Sequence, residues 1–234
     1  MEFARPLIPG RLIRRYKRFL ADVTLEDGQT VTAHCANTGA MLGVQDPGSR
    51  VWIEPNDDPK RKLKYSWKLI ELPGGALAGI DTGVPNRVAG EALRNGKVET
   101  VQKYEHVRAE VKYAQNSRVD FLLTADALPD CYVEVKNVHL RRESDWAEFP
   151  DSVTTRGAKH LGDLAAEVQK GHRAVLLYVV QRDDCRRVKM ARDLDPNYAE
   201  RLCEAARMGV EVMAYDCALS SKRVILRNRL PVTI

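Results

Sequence analysis

The chain has 234 residues, of which 44% are hydrophobic and 29% charged, as in an ordinary globular protein with one large domain or two small ones. No apolar run approaches a membrane span and the start lacks a signal-peptide pattern, so we expect a cytoplasmic protein with no membrane partner. The net charge of +5 permits nucleic-acid binding, and five scattered cysteines without C-x-x-C spacing argue against disulfides and zinc.

Short runs of alternating apolar and polar residues fill residues 1–82. Two of them flank Asp27-Gly28, a hairpin signal, and others are separated by EPNDDP and PGG. Several short strands in so small a segment suit a closed barrel, so we predict an OB-fold-like nucleic-acid-binding domain. The segment NTGAMLG is predicted to be a loop that receives a phosphate or simply makes a turn.

Two basic clusters lie in this N-terminal part, and both are interleaved with aromatic residues. Cations that meet phosphates, beside rings that stack on bases, favour single-stranded or distorted nucleic acid. The alternative is a solvated strand face whose aromatic rings point into a core. The residues that we predict to contact nucleic acid here are Arg14, Arg15, Lys17, Arg18, Asn37, Thr38, Arg61 and Lys62.

A second domain is predicted for residues 83–234. A helix from Pro85 to about Asn95 leads into three strands, with turns at Gln115-Asn116 and in ADALPD. The helix in TTRGAKHLGDLAAEVQKG, the apolar strand RAVLLYVV, the helix in PNYAERLCEAARMG and the strand VEVMAYDC follow. The order is α-β-β-β-α-β with an α-β extension. The residues after Gly209 alternate as in a strand, which argues against a helix-turn-helix there.

Two carboxylates and a lysine lie inside the predicted strands of this domain. Glu134 and Lys136 are two residues apart and so emerge on the same strand face, and a regular hairpin brings Asp120 opposite Glu134. Like charges that face each other destabilise a hairpin unless a cation lies between them. We therefore predict a divalent site, for Mg²⁺ or Mn²⁺, with Asp120 and Glu134 as ligands and Glu110 as a further one. A structural salt bridge between Glu134 and Lys136 is the alternative.

Polar residues near the predicted crossover helix add candidates for phosphate binding. Arg156, Lys159 and His160 lie at its start, where a helix N-terminus and cations both favour phosphate. A solvent-facing role for His160 is the alternative. Gln181 and Arg182 end the central strand and are predicted to reach a nucleic-acid site at the strand termini.

An acidic residue followed by E-x-K on the next strand, within α-β-β-β-α-β, resembles the PD-(D/E)xK nuclease superfamily. The resemblance implies that Asp120 and Glu134 bind metal and that Lys136 assists catalysis. At the scale of the whole chain, RYKRFLADV, NTGAM, SRVDFLL, DCYVEVKNVHL and FPDSVTTRGAKHL resemble the sugar fermentation stimulation protein (SfsA) family. That resemblance implies an N-terminal OB-fold, a C-terminal restriction-endonuclease-like α/β domain, and DNA binding without strong sequence preference.

Three functions are consistent with these patterns. The first is a DNA-binding protein that retains a metal-dependent phosphodiesterase site, since the triad is intact. The second is a DNA-binding regulator of sugar (maltose) metabolism genes that uses the same fold without cutting, and the third is an RNA-directed enzyme. The oligomeric state is left open, with a dimer as one option.

Overall fold

A closed barrel forms the N-terminal part of the chain in the computed structural model, which describes residues 1–113 and 117–234. Its strands are β1 (Ile8–Tyr16), β2 (Leu20–Leu25), β3 (Thr30–His34), β4 (Arg50–Pro55) and β5 (Tyr65–Glu71). They pair in the order β3-β2-β1-β4-β5, and a parallel pairing of β3 with β5 closes the barrel. A short strand, β6 (Leu77–Gly79), extends it beside β5. The prediction of an OB-fold barrel is confirmed.

The barrel closes around apolar side chains that alternate along its strands. Leu12, Val23, Ile53 and Trp67 are fully buried in this core. The hairpin predicted at Asp27-Gly28 is present, with Gly28 at φ +84°, a left-handed conformation that glycine adopts without a steric penalty. Inward alternation accounts for this core, and the glycine turn accounts for the hairpin of β2 and β3.

The C-terminal part is an α/β unit around a six-stranded sheet. After helix α1 (Val84–Arg94) come β7 (His106–Lys112), β8 (Arg118–Ala125), β9 (Leu128–Val138), β10 (Trp146–Phe149), α2 (Thr155–Gln169), β11 (Arg173–Val180), β12 (Arg187–Met190), α3 (Pro196–Arg207), β13 (Glu211–Leu219), β14 (Val224–Leu230) and β15 (Val232–Thr233). The main sheet has the order β14-β13-β11-β9-β8-β7, and β10, β12 and β15 form a small parallel sheet. None of the described helices is long and apolar enough to cross a membrane.

Helices cover both faces of the main sheet. Val88 and Leu93 of α1 pack in one core with Val133 and Leu177, and α2 and α3 pack on the opposite face. The strand β11 lies between β9 and β13 and is buried along almost its whole length, as its continuous apolar sequence predicts. Residues of one parity on β9 therefore face α1, and those of the other parity face α2.

Two details differ from the prediction. The turn before β9 contains only Asp126 and Ala127, so Pro129 and Asp130 belong to the strand rather than to the turn. The small sheet of β10, β12 and β15 was not predicted. The turn expected at Gln115-Asn116 lies outside the described residues. The strand predicted after Gly209 is present as β13, which leaves no helix-turn-helix there.

The barrel meets the α/β unit where β6 passes the end of β11. The Gly79 amide donates a 2.8 Å hydrogen bond to the carbonyl of Gln181. A Cβ at Gly79 would lie 2.4 Å from Oε1 of Gln181, so any larger residue there would force the buried Gln181 side chain to move. Helix α1 begins a few residues after β6 and connects this junction to the face of the main sheet.

Candidate active site

The hairpin of β8 and β9 brings two carboxylates together. Phe121 pairs with Val133, so Asp120 lies one residue further along, level with Glu134. Oδ2 of Asp120 accepts a 2.7 Å hydrogen bond from the Val135 amide, and Oδ1 accepts one of 2.7 Å from Nδ2 of Asn86 on α1. Both oxygens of Asp120 are therefore held, one by the neighbouring strand and one by the helix that follows the barrel.

Glu134 is held on the other side by a lysine and a histidine. Nζ of Lys136 lies 2.7 Å from Oε1 of Glu134, and Nδ1 of His160 on α2 contacts the same oxygen. Nε of Arg156 donates a 3.3 Å hydrogen bond to Nε2 of His160. Because a guanidinium only donates, Nε2 must be the accepting nitrogen, and Nδ1 carries the proton that it donates to Glu134.

The second oxygen of Glu134 has no such partner. Glu134 is 3% exposed, and its Oε2 is buried without a hydrogen-bond partner among the described residues. A buried carboxylate oxygen left unpaired is costly, and a hard cation is one group that satisfies it. In the described part of the chain, no three His, Cys, Asp or Glu side chains already form a complete metal cluster. Magnesium sites often use only one or two carboxylates, with waters and substrate phosphate as the other ligands, so this donor set fits such an ion.

The two carboxyl groups have opposite pKa shifts. Burial, followed by the charge of Glu134, raises the pKa of Asp120 to about 6. Burial also raises the pKa of Glu134, but the hydrogen bonds and charges of His160 and Lys136 outweigh it, so the net shift is downward. The pair therefore concentrates its negative charge on Glu134, and Asp120 ionises less readily beside it.

An open depression of about 430 Å³ gives solvent access to the carboxylate pair. The residues that line it are Glu110, Ser117, Arg118, Asp120, Glu134, Arg156, Lys159 and His160. Cations thus surround an acidic centre, an arrangement that suits an anionic substrate bound across a metal ion. Nζ of Lys159 donates a 2.8 Å hydrogen bond to Oγ of Ser117, which in turn donates one of 2.6 Å to Asp163.

Glu110 lines this depression from the edge strand β7. Its neighbours Ala109 and Val111 pair with Phe121 and Val119, which places Glu110 level with Asp120. Its φ is +55°, in the left-handed region, where a residue other than glycine costs about 1–3 kcal/mol. The backbone of β7 is therefore irregular where it passes the carboxylate pair. Backbone strain of this kind concentrates at functional sites.

Two family models match the chain: "SfsA N-terminal OB domain" over residues 13–80 and "Sugar fermentation stimulation protein RE domain" over residues 83–223. The chain belongs to the sugar fermentation stimulation protein family. The family predicted from sequence is confirmed, and so is the combination of an OB-fold barrel with an α/β domain.

Relatives in this family match the chain along its whole length. The sugar fermentation stimulation protein homolog of Dinoroseobacter shibae is 60% identical over 99% of this chain and 96% of its own. The homolog of Jannaschia sp. is 56% identical over 99% and 97%. The solved structure of Pyrococcus furiosus SfsA in complex with Ca²⁺ is 28% identical, with a TM-score of 0.88 over 100% of this chain and 98% of that one.

The structure brings together most of the residues predicted for the catalytic site of this family member. Asp120, Glu134 and Lys136 cluster as expected, and Arg156, Lys159 and His160 reach the same place from α2. His160 is 6% exposed and bonded to Glu134, so the alternative of a solvent-facing histidine is wrong. The alternative salt bridge between Glu134 and Lys136 is present, but it involves only one of the two carboxylate oxygens.

Gln181 and Arg182 lie elsewhere and are buried, with 1% and 5% exposure. The Gln181 amide donates to Oδ1 of Asn137 at 2.8 Å. The Arg182 guanidinium binds Asp184 and the carbonyl of His139. Their polar groups point into the protein at the junction, so the structure corrects the expectation that they reach the site. With side chains this deeply buried, their predicted contact with nucleic acid gains no support from the structure.

The predicted residues of the barrel divide into two groups. Three already have partners: Arg14 bonds Asp22, Asn37 is buried with its amide on the carbonyl of Ile80, and Arg15 bonds backbone carbonyls. The others are exposed and belong to turns or loops; they are Lys17, Thr38, Arg18, Arg61 and Lys62.

Asn86 and Arg118 are site residues that sequence reasoning missed. Arg118 lies two residues before Asp120 on β8 and so shares its face, a spacing that could have indicated it. Asn86 is 34 positions from Asp120, and no local pattern marks it. Only the packing of α1 on the sheet brings it to the site.

Proposed function

We propose that this chain is a DNA-binding protein of low sequence specificity with a metal-dependent phosphodiesterase site at Asp120, Glu134 and Lys136. The observation that carries the proposal is the buried, unpartnered Oε2 of Glu134 beside Asp120, with Lys136 on the other oxygen. Two carboxylates and a lysine around an open, cation-rimmed depression suit hydrolysis of a phosphate ester better than a purely structural role.

Asp120 and Glu134 would hold the ion, Mg²⁺ or Mn²⁺, and Glu110, which lines the same depression, is proposed as a further ligand. When bound, the ion would supply Lewis-acid activation of the phosphate and of a water nucleophile. The relative from Pyrococcus furiosus has been described in complex with Ca²⁺, another hard cation that takes oxygen ligands. That description supports a divalent site in this chain.

The surrounding residues of the chain have distinct tasks in this proposal. His160 and Lys136 fix one oxygen of Glu134 and leave the other free. Lys136, 13% exposed at its side chain, can orient a water or stabilise charge that develops on the phosphate. Arg118, Arg156 and Lys159 line the depression and provide cations for the substrate's phosphates.

DNA binding is supported by the exposed cations of the barrel and by the net charge of +5. Lys17, Arg18, Arg61 and Lys62 are exposed on turns and loops, where they can reach phosphates. Contacts to phosphate carry no direct sequence information, so we expect low sequence specificity. Affinity should fall steeply as salt rises, because each neutralised phosphate releases counterions.

A cleavage panel tests the catalytic part of the proposal. The purified protein is incubated with single-stranded, duplex and branched DNA, with Mg²⁺ or Mn²⁺ and with EDTA. We expect nicking that needs the metal and disappears in Glu134→Ala and Lys136→Ala. Asp130→Ala is the matched control, because Asp130 lies on the same strand as Glu134 and on the same face. This variant should cleave DNA as the wild type does.

Two results would contradict catalysis. Wild-type protein that leaves every substrate intact with both metals would reject hydrolysis, and salt-dependent DNA binding would then favour the regulator of sugar metabolism genes that binds without cutting. Cleavage that survives in both triad variants would assign the activity to a contaminant. A preparation of Glu134→Ala that retains the wild-type circular dichroism spectrum shows that a lost activity is not lost folding.

A further inference from the structure

The turn between β1 and β2 has a left-handed backbone conformation that its residues do not favour. Lys17 and Arg18 have φ values of +48° and +65°, in the left-handed region. Turns of this kind normally carry glycine or asparagine, and another residue there costs about 1–3 kcal/mol. The Arg15 guanidinium holds the turn in place by bonding the carbonyls of Arg18 at 2.9 Å and Asn37 at 2.9 Å.

The strained turn presents three side chains to solvent. Lys17 and Arg18 are exposed, and neither has a side-chain hydrogen bond or ion pair within residues 1–113 and 117–234. Phe19 is 48% exposed, more than any other phenylalanine, tyrosine or tryptophan of residues 1–113 and 117–234. An exposed ring next to two unpaired cations can stack on a base of a nucleic-acid strand while the cations bind its phosphates.

This turn adjoins a second depression, on the barrel. The carbonyl of Phe19 accepts a 2.8 Å hydrogen bond from the Cys35 amide, and Leu20 pairs with His34. His34 in turn lines a depression of about 480 Å³ together with Arg61 and Lys62, two more exposed cations. A strand that begins at the turn can therefore continue over His34 into a positively charged recess.

The recess is linked to the candidate active site by a short stretch of chain. Asp81 forms part of its lining, and α1 starts three residues later. Asn86, in the first turns of α1, bonds Asp120. The five residues from Asp81 to Asn86 span at most about 18 Å. A strand held in the recess is thus within a few nucleotides of the carboxylate pair.

We propose that the β1–β2 turn binds single-stranded DNA, with Phe19 stacked on a base and Lys17 and Arg18 on the flanking phosphates. The bound strand runs over His34 into the recess at Arg61 and Lys62 and onward to Glu134. In a duplex the bases stack on each other, and no base face is open to a ring. Binding at the turn rests on the DNA-binding part of the proposed function, and only the last step of this path rests on the metal-dependent site at Glu134.

Fluorescence anisotropy with labelled oligothymidylate, in EDTA so that nothing is cut, tests the turn directly. Stacking on one aromatic ring corresponds to a change of about 5- to 150-fold in affinity, so Phe19→Ala should weaken binding by that factor and Phe19→Trp should restore it. The matched control is Ile225→Ala, which truncates another exposed apolar side chain, on β14, and should bind as the wild type does.

A double variant, Lys17→Asn with Arg18→Gly, separates binding from folding. It should lower the magnitude of the salt dependence, the slope of log K against log salt, by about 1.4, since two phosphate contacts are lost. It should at the same time raise the melting temperature, because asparagine and glycine relieve the left-handed strain. If the two cations had a structural role, the double variant would instead have a lower melting temperature than the wild type. Lys222→Asn, in the turn before β14, is the control for loss of charge.

Three outcomes would overturn the inference. The first is an unchanged affinity in Phe19→Ala. The second is an equal loss for duplex and single-stranded DNA, and the third is tighter, Phe19-dependent binding of oligouridylate, which would make RNA the ligand. All of these readings are taken without metal, so they stand whether or not the cleavage panel detects hydrolysis. A protein that cuts DNA while Phe19→Ala binds normally would refute this inference alone.

Discussion

Nδ2 of Asn86 donates a 2.7 Å hydrogen bond to Oδ1 of Asp120, and this contact joins the helix that follows the barrel to the carboxylate pair on the sheet. The other oxygen of Asp120 is held by the Val135 amide, so Asn86 and the Val135 amide together orient the carboxyl group beside Glu134. Side chains that orient ligands in this way affect metal sites nearly as strongly as the ligands do. In the proposed site, Asn86 is therefore a positioning residue rather than a catalytic one.

Replacing Asn86 with alanine should lower divalent-ion affinity or cleavage by about 10- to 100-fold. The affinity for Ca²⁺ is measured by calorimetry and cleavage by the DNA panel. Asn95→Ala, the same substitution at the C-terminal cap of the same helix, is the control and should leave both values unchanged. Equal values for Asn86→Ala and the wild type would show that Asp120 needs no orienting partner.

Lys136→Met should separate ion binding from catalysis. Nζ of Lys136 lies 2.7 Å from Oε1 of Glu134 and competes with a metal ion for its negative charge. Without the ammonium group, Ca²⁺ affinity should rise by about tenfold. One neighbouring cation lowers the proton affinity of a carboxylate by roughly that factor or more, and we expect a similar effect on its affinity for a metal ion. Cleavage should fall by about 10²–10⁴-fold, the usual contribution of a general acid or base.

Two measurements check this separation, calorimetry with Ca²⁺ and cleavage with Mg²⁺. Lys112→Met, which removes an exposed cation from β7, should change neither. If Ca²⁺ affinity falls together with cleavage in Lys136→Met, the lysine supports the fold of the site rather than the chemistry.

The central triad could be predicted from sequence because its geometry is local. Glu134 and Lys136 share a strand face by spacing alone, and a short hairpin brings Asp120 level with Glu134. The barrel and the α/β order follow equally from alternation, turn residues and helical spacing. Where one strand or one hairpin brings side chains together, the periodicity of the sequence is enough to predict that they lie on the same face.

The remainder depends on packing between distant segments. His160 reaches Glu134 because α2 packs across the sheet, and Asn86 reaches Asp120 because α1 packs beside β8 and β9. The strands β10, β12 and β15 have four, four and two residues, too few for alternation to show. The burial of Arg182 likewise follows from Asp184 and the junction, neither of which a strand pattern reveals.

Two helical glycines should respond in opposite ways to alanine. A Cβ at Gly90 of α1 would lie 2.9 Å from the Phe121 ring, whereas a Cβ at Gly162 of α2 would meet nothing within 4 Å. Gly90→Ala should therefore destabilise the fold by about 1–3 kcal/mol through overpacking. Gly162→Ala should stabilise it by up to about 1 kcal/mol, the helix-propensity difference. Urea unfolding of the two variants measures both free energies, and a stabilised Gly90→Ala would show that α1 does not pack this closely on β8.

Stability in acid should depend on Asp184. Burial raises the pKa of its carboxyl, but the hydrogen bonds and charges of Arg182 and Arg141 outweigh this and bring the pKa to about 2. The pKa of an aspartate in the unfolded chain is about 3.9, so the native state binds the proton less tightly than the unfolded state does. The ionised carboxylate therefore stabilises the fold above that pH. This gain is lost as the pH falls through the folded pKa. It amounts to about 2 kcal/mol near pH 5 and roughly half of that near pH 3.

Asp184→Asn removes this contribution, so the difference in unfolding free energy between wild type and variant should narrow as the solution is acidified. Urea titrations at several values from about pH 5 to about pH 3 measure it. Asp126→Asn, in the exposed turn between β8 and β9, is the control and should show no such narrowing. A difference that stays constant over this range would mean that Asp184 holds Arg182 and Arg141 through hydrogen bonds that its protonation does not weaken.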